Sequence, residues 1–358
     1  MGRNIPERDK MLSEWAAIDL SVYRAVLDKD DDDIIVVSAI RNELARLPYF
    51  LSYYRSLGLK KFVFIDNDSS DGTLEYLKTQ PDVDIYLYPG PFSIVAKQIW
   101  IQKAMLNYGH GRWYLILDPD EILVFDGCEC HSIYELTAAA QQQGIKRILA
   151  IMIDMYADIK GVAYAELDTY EKTVAACRYF DSVGYEYKPT MVREQITGGP
   201  RRRMMEMLSF EGLLPQLSKY PLLYFEPEDI LVSAHYSYPF SKNMISDCTI
   251  GLLHYRLSNI ACERIEDHSA RMKIQILSHL FDLYRSWYNS EYNLFSSDSL
   301  KFESSNDLVK SGLIKKINWA SRKNKLSKLN FISCLLQKEK RMRRKFFLEN
   351  KSRERSDK

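Results

Sequence analysis

The chain has 358 residues, 46% of them hydrophobic and 27% charged, and this composition excludes an intrinsically disordered protein. Its 49 Lys and Arg residues balance 48 Asp and Glu residues, so the formal net charge of +1 excludes a molecule-wide field that would hold nucleic acid. The 6 cysteines include no CxxC pair, which argues against a disulfide scaffold and favours a reducing compartment. Because the net charge is close to zero, any binding of a charged partner must depend on a local cluster of charged residues.

The amino-terminal residues are polar and lack the apolar core of a secretory signal, so we expect a cytoplasmic protein. A membrane-spanning helix needs a run of about 18 or more apolar residues, and the sequence contains none. The sequence therefore predicts no transmembrane segment.

Apolar, β-branched runs alternate with longer segments of helical type through the first half of the chain. The predicted strands are 34–40, 61–65, 84–88, 113–117 and 147–154, and the predicted helices are 43–57, 72–79, 93–108 and 131–143. Strands and helices that alternate at this spacing form right-handed βαβ units. The sequence thus predicts an α/β fold with a mostly parallel sheet flanked by helices.

These patterns divide the chain into three regions. Residues 1–32 form a helical or polar extension, residues 33–260 hold the α/β domain, and residues 261–358 form a helical region with a basic tail. After residue 155 the pattern is less regular. The two glycines, proline and three arginines at 198–203 predict an exposed loop.

Polar clusters follow three of the predicted strands. They are Arg41-Asn42-Glu43 after the first strand, residues 66–73 after the second, and residues 118–121 after the fourth. Ligands of open α/β sheets bind beyond the carboxyl ends of the strands. We therefore expect the chemistry of this protein at that edge.

Asp118 and Asp120 are two residues apart at the end of an apolar strand, so in an extended conformation both side chains leave the same face. Two converging carboxylates suit Mg²⁺ or Mn²⁺, with phosphate oxygens completing the shell. Such an ion would neutralise a departing diphosphate. The alternative is a solvated turn built on Asp and Pro119.

The segment from Asp66 to Thr73 also has two interpretations. As a structural element it is an Asx turn followed by a helix start, with Ser70 or Asp71 as the cap. As part of a site, its polar side chains would hydrogen-bond a base or ribose. The two interpretations are compatible.

Taken together, these motifs resemble the GT-A glycosyltransferases, and more closely their bacterial family-2-like branch, which carries R-N-E, D-N-x-S-x-D-G-T and D-x-D-E. The resemblance covers residues 34–125 well and extends loosely to about 258 through 198–203, 219–222 and 252–256. It implies the Rossmann-like GT-A fold, a nucleotide-sugar donor with UDP as the first candidate, and Mn²⁺ or Mg²⁺. By analogy with family 2 we expect inversion at the sugar and a saccharide or glycolipid hydroxyl as acceptor.

The resemblance also implies roles for individual residues. The predicted metal ligands are Asp118, Asp120 and His254, with His235 as the competitor of His254. Either histidine has an alternative as a buried, hydrogen-bonded core residue. The predicted nucleotide-binding residues are Arg41, Asn42, Glu43, Asp66, Asn67, Asp71, Asp118 and Arg203.

Inverting transfer needs a carboxylate that takes the proton of the acceptor hydroxyl. Glu121, Asp154, Glu206, Glu228 and Asp229 are candidates, and we favour Asp154 or Glu206. The arginines at 201–203 either line a solvated loop or fold over the donor phosphates. The aromatic residues Trp100, Trp113, Tyr156, Tyr236 and Tyr238 either stack on sugars or belong to the core.

The segment 315–336 mixes basic and apolar residues, and 338–358 is rich in Lys and Arg. This pattern is typical of a basic amphipathic helix on an anionic membrane surface, here the inner face of the membrane, and equally of a packing helix with a charged end. No nucleic-acid-binding motif is present.

Two other functions share parts of the pattern. A nucleotidyltransferase would have the sheet and the carboxylates, but it usually carries a glycine-rich loop after the first strand, where this chain has Arg41-Asn42-Glu43. A non-catalytic, membrane-associated sugar-binding protein would keep the fold with a degenerate site. Replacing both Asp118 and Asp120 by Asn separates the enzyme from the scaffold.

Overall fold

The fold comes from a computed structural model, which describes residues 13–15, 17–28, 33–212, 214–233, 235–243, 248–257 and 275–319, with the backbone alone for 275–281. The strands are β1 (Ser21–Arg24), β2 (Ile35–Ile40), β3 (Lys61–Asp66), β4 (Val83–Leu87), β5 (Arg112–Ile116), β6 (Glu121–Val124), β7 (Arg147–Asp154), β8 (Tyr179–Asp181), β9 (Tyr185–Pro189), β10 (Glu194–Gly198), β11 (Ser218–Phe225), β12 (Ile230–Leu231), β13 (Ser237–Tyr238), β14 (Thr249–His254) and β15 (Ser299–Lys301). The α-helices are α1 (Leu47–Ser56), α2 (Thr73–Lys78), α3 (Ile94–Leu106), α4 (Ile133–Gln142), α5 (Tyr170–Ala176), α6 (Gly199–Met207), α7 (Gln275–Tyr288) and α8 (Ser305–Lys310).

Within the described residues, nine strands form one sheet in the order β1-β4-β3-β2-β5-β11-β7-β14-β6. Its core from β4 to β5 is parallel, as is the β7–β14 pair. The pairs β1–β4, β5–β11, β7–β11 and β6–β14 are antiparallel. The α/β class is confirmed, but the sheet is mixed because β1, β6 and β11 run antiparallel to the strands beside them.

The five strands predicted from apolar runs are all present with ends within two residues of the prediction. In β2 every side chain except Ala39 is buried, as expected for a central strand covered on both faces. The strand β6 was not predicted, because its four residues continue directly from the acidic turn at 118–120. Helix α1 begins at Leu47 rather than at 43, since Pro48 favours the first turn of a helix.

The two faces of the sheet are covered by different helices. Alternate residues of β2 separate them: Val37 packs in the cluster that contains Trp100 of α3, whereas Val36 packs in the cluster that contains Phe50 and Tyr54 of α1. The period-2 alternation of a strand is the reason that neighbouring residues serve opposite cores.

The segment 198–203, predicted as a loop, consists of the last residue of β10, which is the N-cap of α6, and the first five residues of that helix. Pro200 lies in its first turn, where the missing N–H is harmless. Gly198 has a φ of 109°, and a Cβ there would lie 2.1 Å from the carbonyl oxygen of Gly184. The glycine therefore serves a close backbone approach at the helix start rather than a mobile loop.

Residues 275–319 pack against the sheet domain. Strand β15 pairs with β8, and the backbone N–H of Lys315 donates to the carbonyl of Thr249 at 3.1 Å. Trp319 stacks on His131 with 3.9 Å between ring centroids. The predicted amphipathic segment beyond residue 319 and the basic tail lie outside the described residues, so membrane attachment stays a prediction.

Among the helices that the structure describes, none has the length and apolar character needed to cross a bilayer. The four cysteines of the described ranges form no disulfide with one another.

Candidate active site at the carboxyl ends of the parallel strands

The loops after β2 and β3 interlock at the carboxyl edge of the sheet. The Arg41 guanidinium donates to the carbonyl oxygen of Asn67 at 2.7 Å. The backbone N–H of Asn42 donates to Ser69 Oγ at 2.9 Å, and Asn42 Oδ1 accepts the N–H of Ser70 at 2.8 Å. Arg41 and Asn42 therefore shape the rim of the site through these contacts.

Glu43 and Asp71 form hydrogen bonds with other residues of the same rim. Glu43 Oε2 accepts from Arg46 at 3.0 Å, and the N–H of Glu43 donates to Thr73 Oγ1 at 2.8 Å. Asp71 accepts the N–H groups of Thr73 at 2.9 Å and of Leu44 at 3.1 Å. The predicted Asx turn is thus present, although the N-cap of α2 is the next residue, a glycine.

Asp66 and Asn67 are buried and keep unused acceptors. Asp66 Oδ1 accepts the N–H of Ser69 at 3.0 Å, and the Asn67 amide donates to the carbonyls of Tyr88 at 2.7 Å and Gly90 at 2.9 Å. Asp66 Oδ2 and Asn67 Oδ1 have no hydrogen-bond partner within the described ranges. Burial raises the pKa of Asp66. Buried unpaired acceptors are costly, so this pair is suited to receive N–H or O–H groups of a ligand.

Asp118 and Asp120 lie in a turn, not in an extended strand. The strand β5 ends at Ile116, and the N–H of Glu121 donates to the carbonyl of Asp118 at 3.0 Å. The N–H of Asp118 donates to Glu121 Oε2 at 2.9 Å. The expectation that both carboxylates leave one face of a strand is therefore wrong, because Pro119 bends the chain. The two carboxylates have different partners.

Asp118 lies between two ammonium groups. Its Oδ1 accepts from Lys97 at 2.5 Å, and its Oδ2 is 3.6 Å from Lys219 Nζ. Lys219 also donates to both carboxylate oxygens of Glu121 at 2.9 and 2.7 Å. Burial opposes ionisation of Asp118, but Lys219 and Lys97 outweigh it and hold the pKa of Asp118 well below its usual range. A divalent ion at Asp118 must share this carboxylate with Lys97 or displace it.

Asp120 faces the imidazole of His254. Asp120 Oδ2 is 3.7 Å from His254 Nε2, and His254 Nδ1 is 2.6 Å from Asp154 Oδ1. Because the neighbour at 2.6 Å is a carboxylate, Nδ1 carries the proton and the lone pair of Nε2 is directed to the side of Asp120. A carboxylate behind a histidine in this way is typical of metal-binding histidines.

Arg201 fixes Asp154 with a two-pronged contact. Its Nε and Nη2 donate to the two carboxylate oxygens at 2.7 and 2.8 Å. Although burial opposes ionisation, Arg201 and His254 lower the pKa of Asp154 to about 2. A carboxylate this acidic and this fully bonded is a weak base. The geometry favours a positioning role for Asp154 over proton transfer.

Two more arginines surround Asp120. Arg256 Nη1 is 3.4 Å from Asp120 Oδ2. Arg46 is 1% exposed, and its Nε and Nη2 have no hydrogen-bond partner in the described part of the chain. Burial opposes its charge, but Glu43 and Asp120 keep the pKa of Arg46 raised. The site is therefore rich in buried cations that match an anionic ligand.

Sequence reasoning missed three of these cations, namely Lys97, Lys219 and Arg46. Lys219 lies in a run that the family resemblance includes, at 219–222. Lys97 and Arg46 lie on or beside predicted helices, where a charged residue is normally solvated. Nothing in the sequence separates these two from surface residues.

Arg203 was predicted to reach the donor from a loop. It lies instead on α6, where it donates to Asp181 at 2.8 and 2.6 Å. Arg202 pairs with Glu186 at the surface at 2.7 Å. Because α6 is packed and both guanidiniums are paired, closure of an arginine loop over the donor is not supported.

The other carboxylates proposed as the base are also engaged or face solvent. Glu206 is exposed on α6. Glu121 is bound by Lys219. Glu228 is 2.7 Å from Lys242 Nζ, and Asp229 is 2.7 Å from the guanidinium of Arg147. Within the described residues, none of the five candidates combines burial with a carboxyl group that lacks a cationic partner.

A separate acidic cluster consists of Glu226, Glu228 and Asp229, whose ligand atoms lie within 4.8 Å of one another. Lys242 Nζ donates to all three, at 2.5, 2.7 and 2.8 Å. The ammonium group occupies the position that a cation would take. This cluster therefore has a structural explanation.

His235 is bonded to the backbone of β11. Its Nδ1 is 2.8 Å from the carbonyl oxygen of Ser218, which makes Nδ1 the protonated nitrogen. Burial, together with the charges of Lys219, Arg193 and Arg201, lowers the pKa of His235 to about 4. His254, not His235, has the surroundings of a metal ligand.

The aromatic residues suggested for sugar stacking fall into two groups. Trp100, Trp113 and Tyr156 are buried and belong to the core. Tyr236 and Tyr238 are half-buried, and the Arg193 guanidinium lies 4.1 Å from the centroid of the Tyr236 ring. The core alternative therefore holds for the first three.

The chain matches no protein-family model, and no curated protein is significantly similar to it. Its function has to be argued from the geometry of this edge of the sheet.

Proposed function

We propose that the chain is a metal-dependent glycosyltransferase of the GT-A type. It transfers a sugar from a nucleoside diphosphate, with UDP as the first candidate, to a saccharide or glycolipid hydroxyl with inversion. The observation that carries this proposal is the imidazole of His254 between Asp120 and Asp154, at 3.7 and 2.6 Å. In this arrangement His254 would supply a nitrogen ligand and Asp120 a carboxylate oxygen, and Asp154 is the outer carboxylate that orients the imidazole ring.

The donor set fits Mn²⁺ or Mg²⁺. Asp120 and His254 would hold the ion, and Asp118 would contribute a carboxylate oxygen next to Lys97 and Lys219. When bound, the ion supplies charge neutralisation to the diphosphate leaving group. The ammonium groups of Lys97 and Lys219 lie beside the same place and support the same task.

Asp66 and Asn67 support the nucleoside part of the proposal. Their acceptors, which are unpaired within the described residues, lie at the carboxyl end of β3 in the parallel core of the sheet. A pyrimidine base carries an N–H donor that matches them. This position beyond the carboxyl ends of the strands is where open α/β sheets bind nucleotides.

A thermal-shift panel tests the proposal. Wild-type protein is heated with UDP, UDP-glucose, UDP-galactose or UDP-N-acetylglucosamine, each with Mn²⁺ or with EDTA. We expect stabilisation with UDP ligands only when Mn²⁺ is present, about 2.7 kcal/mol at a ligand concentration 100 times the Kd. No shift with any of the four ligands would reject the proposal.

Variants locate the effect. Asp120→Asn and His254→Gln should abolish the Mn²⁺-dependent part of the shift. Asp168→Asn is the matched control, because the ion pair of Asp168 with Lys172 is exposed. An Mn²⁺-dependent shift that persists in both Asp120→Asn and His254→Gln would place the metal elsewhere and contradict this assignment.

A further inference from the structure

The carboxylate of Asp118 is held by two ammonium groups that differ in their attachment. Lys219 also donates to both carboxylate oxygens of Glu121, at 2.9 and 2.7 Å, and its side chain is 5% exposed. Lys97 reaches Asp118 Oδ1 at 2.5 Å from near the start of α3, and its side chain is 17% exposed. Within the described residues, Asp118 is the only hydrogen-bond and ion-pair partner of the Lys97 ammonium group. Lys97 can therefore leave Asp118 without giving up a second contact, whereas Lys219 cannot.

One oxygen of Asp120 faces both an imidazole and a guanidinium. Asp120 Oδ2 is 3.7 Å from His254 Nε2 and 3.4 Å from Arg256 Nη1. The Arg256 side chain is 31% exposed and lies over the ring of Tyr284, with 5.6 Å between Cζ and the ring centroid. Its other N–H groups donate no hydrogen bond to a residue that the structure describes. An ion bound by Asp120 Oδ2 and His254 therefore meets the positive charge of Arg256 at the same oxygen.

The ion pairs of this charge cluster balance one another. They are Lys97–Asp118, Lys219–Glu121, Arg256–Asp120 and Arg201–Asp154. With a neutral imidazole at His254, these four cations and four carboxylates have no net charge. A divalent cation alone would add two positive charges to a largely buried cluster, and unbalanced charge is costly in such surroundings. The diphosphate of a UDP-sugar has two negative charges, so the metal and the diphosphate together restore the balance.

Lys97 and Arg256 are the two cations of the cluster that are free to change partners. Each contacts a single carboxylate oxygen, whereas each of the other two cations donates two hydrogen bonds to one carboxylate. Because Lys97 and Arg256 contact oxygens of Asp118 and Asp120, they lie beside any metal that these carboxylates hold. Ammonium and guanidinium groups are common ligands of phosphate oxygens. The phosphates held by such a metal therefore supply a second anion for both cations.

We propose that Lys97 and Arg256 are exchangeable cations that couple the binding of the metal to the binding of the diphosphate. This proposal rests on the proposed function. Lys97 competes with the metal for an oxygen of Asp118, and Arg256 competes with it for an oxygen of Asp120. Both side chains move to phosphate oxygens when the metal and the nucleotide bind together. The other two cations of the cluster keep their carboxylates.

The two roles of an exchangeable cation predict opposite changes in two affinities. Calorimetry measures both, with Mn²⁺ titrated into chelator-treated protein and UDP titrated into protein at saturating Mn²⁺. We expect Lys97→Met and Arg256→Met each to bind Mn²⁺ alone about tenfold more tightly than wild type and to bind UDP about tenfold more weakly, as is typical of coupled sites. Lys172→Met is the matched control for a lost positive charge, because its ion pair with Asp168 is exposed, and it should leave both affinities unchanged.

A purely structural ion pair gives a different result. Loss of such a pair leaves both affinities unchanged or weakens both, and either outcome in a variant would overturn the role of that residue while the glycosyltransferase proposal stands. Tighter Mn²⁺ binding with unchanged UDP affinity would also overturn it, because the cation would then not reach the phosphates. If wild-type protein binds no UDP in the presence of Mn²⁺, the proposed function is rejected and this inference with it.

A second pair of variants keeps the result independent of how well one variant folds. Lys97→Gln and Arg256→Gln still donate a hydrogen bond but carry no charge. Because the competition with the metal depends on charge, both should show the same opposite changes as the methionine variants. Wild-type affinities for Mn²⁺ and UDP in the glutamine variants would show that charge is not involved, and would contradict the coupling.

Discussion

The two halves of the sheet treat their buried polar groups differently. In the parallel half (residues 33–125), Asp66 Oδ2, Asn67 Oδ1, Ser38 Oγ and Gln98 Nε2 are buried and lack a hydrogen-bond partner within the described residues. In the mixed half (residues 147–257), Asp154 and Asp229 are closed into ion pairs with Arg201 and Arg147. These polar atoms of the parallel half can bond a ligand, whereas the two carboxylates of the mixed half hold its shape. Within the described residues the mixed half also keeps unpaired buried atoms, among them Arg193 Nε and Gln216 Oε1.

The largest effect is expected where a closed ion pair is broken. Asp154→Asn leaves Arg201 and His254 buried without their anion, so we expect a loss of about 3–5 kcal/mol in the free energy of unfolding. Urea denaturation at pH 7 measures it. The double variant Asp154→Asn with Arg201→Met should recover part of the loss, because no unpaired cation remains. A loss below about 1 kcal/mol in Asp154→Asn would show that the ion pair between Asp154 and Arg201 does not form in solution.

The next effect concerns the ammonium group between Asp118 and Glu121. Lys219→Met leaves Glu121 buried without its cation, and we expect a loss of about 3 kcal/mol at pH 7, the lower end of the range for a buried pair that loses one partner. Burial already raises the pKa of Glu121. Because a protonated Glu121 needs no cation, the loss should shrink when unfolding is measured at pH 5. A loss that is larger at pH 5 than at pH 7 would contradict the position of Lys219.

A smaller effect is the acid dependence of stability. Asp154 has a pKa of about 2 in the folded chain against an ordinary value of 3.8, so its ionised form stabilises the fold above about pH 4. This share of about 2 kcal/mol is lost as the pH falls from 4 to 2. The free energy of unfolding in urea, measured for wild type and Asp154→Asn between pH 4 and pH 2, tests this contribution. The same pH dependence in the two proteins would exclude a contribution from Asp154.

The smallest effect on stability is expected in the parallel half. Asp66→Asn removes a charge that burial disfavours, so the free energy of unfolding should change by less than about 1 kcal/mol. The affinity for UDP with Mn²⁺, measured by calorimetry, should nevertheless fall about tenfold, the loss expected for one hydrogen bond to a charged group. The opposite result, a large loss of stability with unchanged affinity, would place Asp66 with the closed pairs of the mixed half.

Sequence patterns predicted the parallel half better than the mixed half. Each strand from β2 to β5 is an apolar run between polar turns, so local patterning is sufficient to locate it. In the mixed half, the segment 198–203 has the composition of a loop but begins α6, because packing of Arg201 against Asp154 outweighs the local preference for a turn. The residues of the site divide in the same way. Asp66, Asn67, Asp118 and Asp120 follow strands and could be chosen from the sequence, whereas Lys219 of the mixed half was not chosen.

The sequence by itself determined the α/β class, the order of the first strands and helices, and the edge of the sheet at which the polar loops meet, since these depend on periodicity and turn residues within short windows. Tertiary structure decided which charges pair. Lys97 reaches Asp118 from α3, Arg201 reaches Asp154 from α6, and Lys219 reaches Glu121 from β11. These partners are between 21 and 98 residues apart in the chain. The physical reason is that an ion pair depends on distance in space and on shared burial, and neither is recorded in the local order of residues.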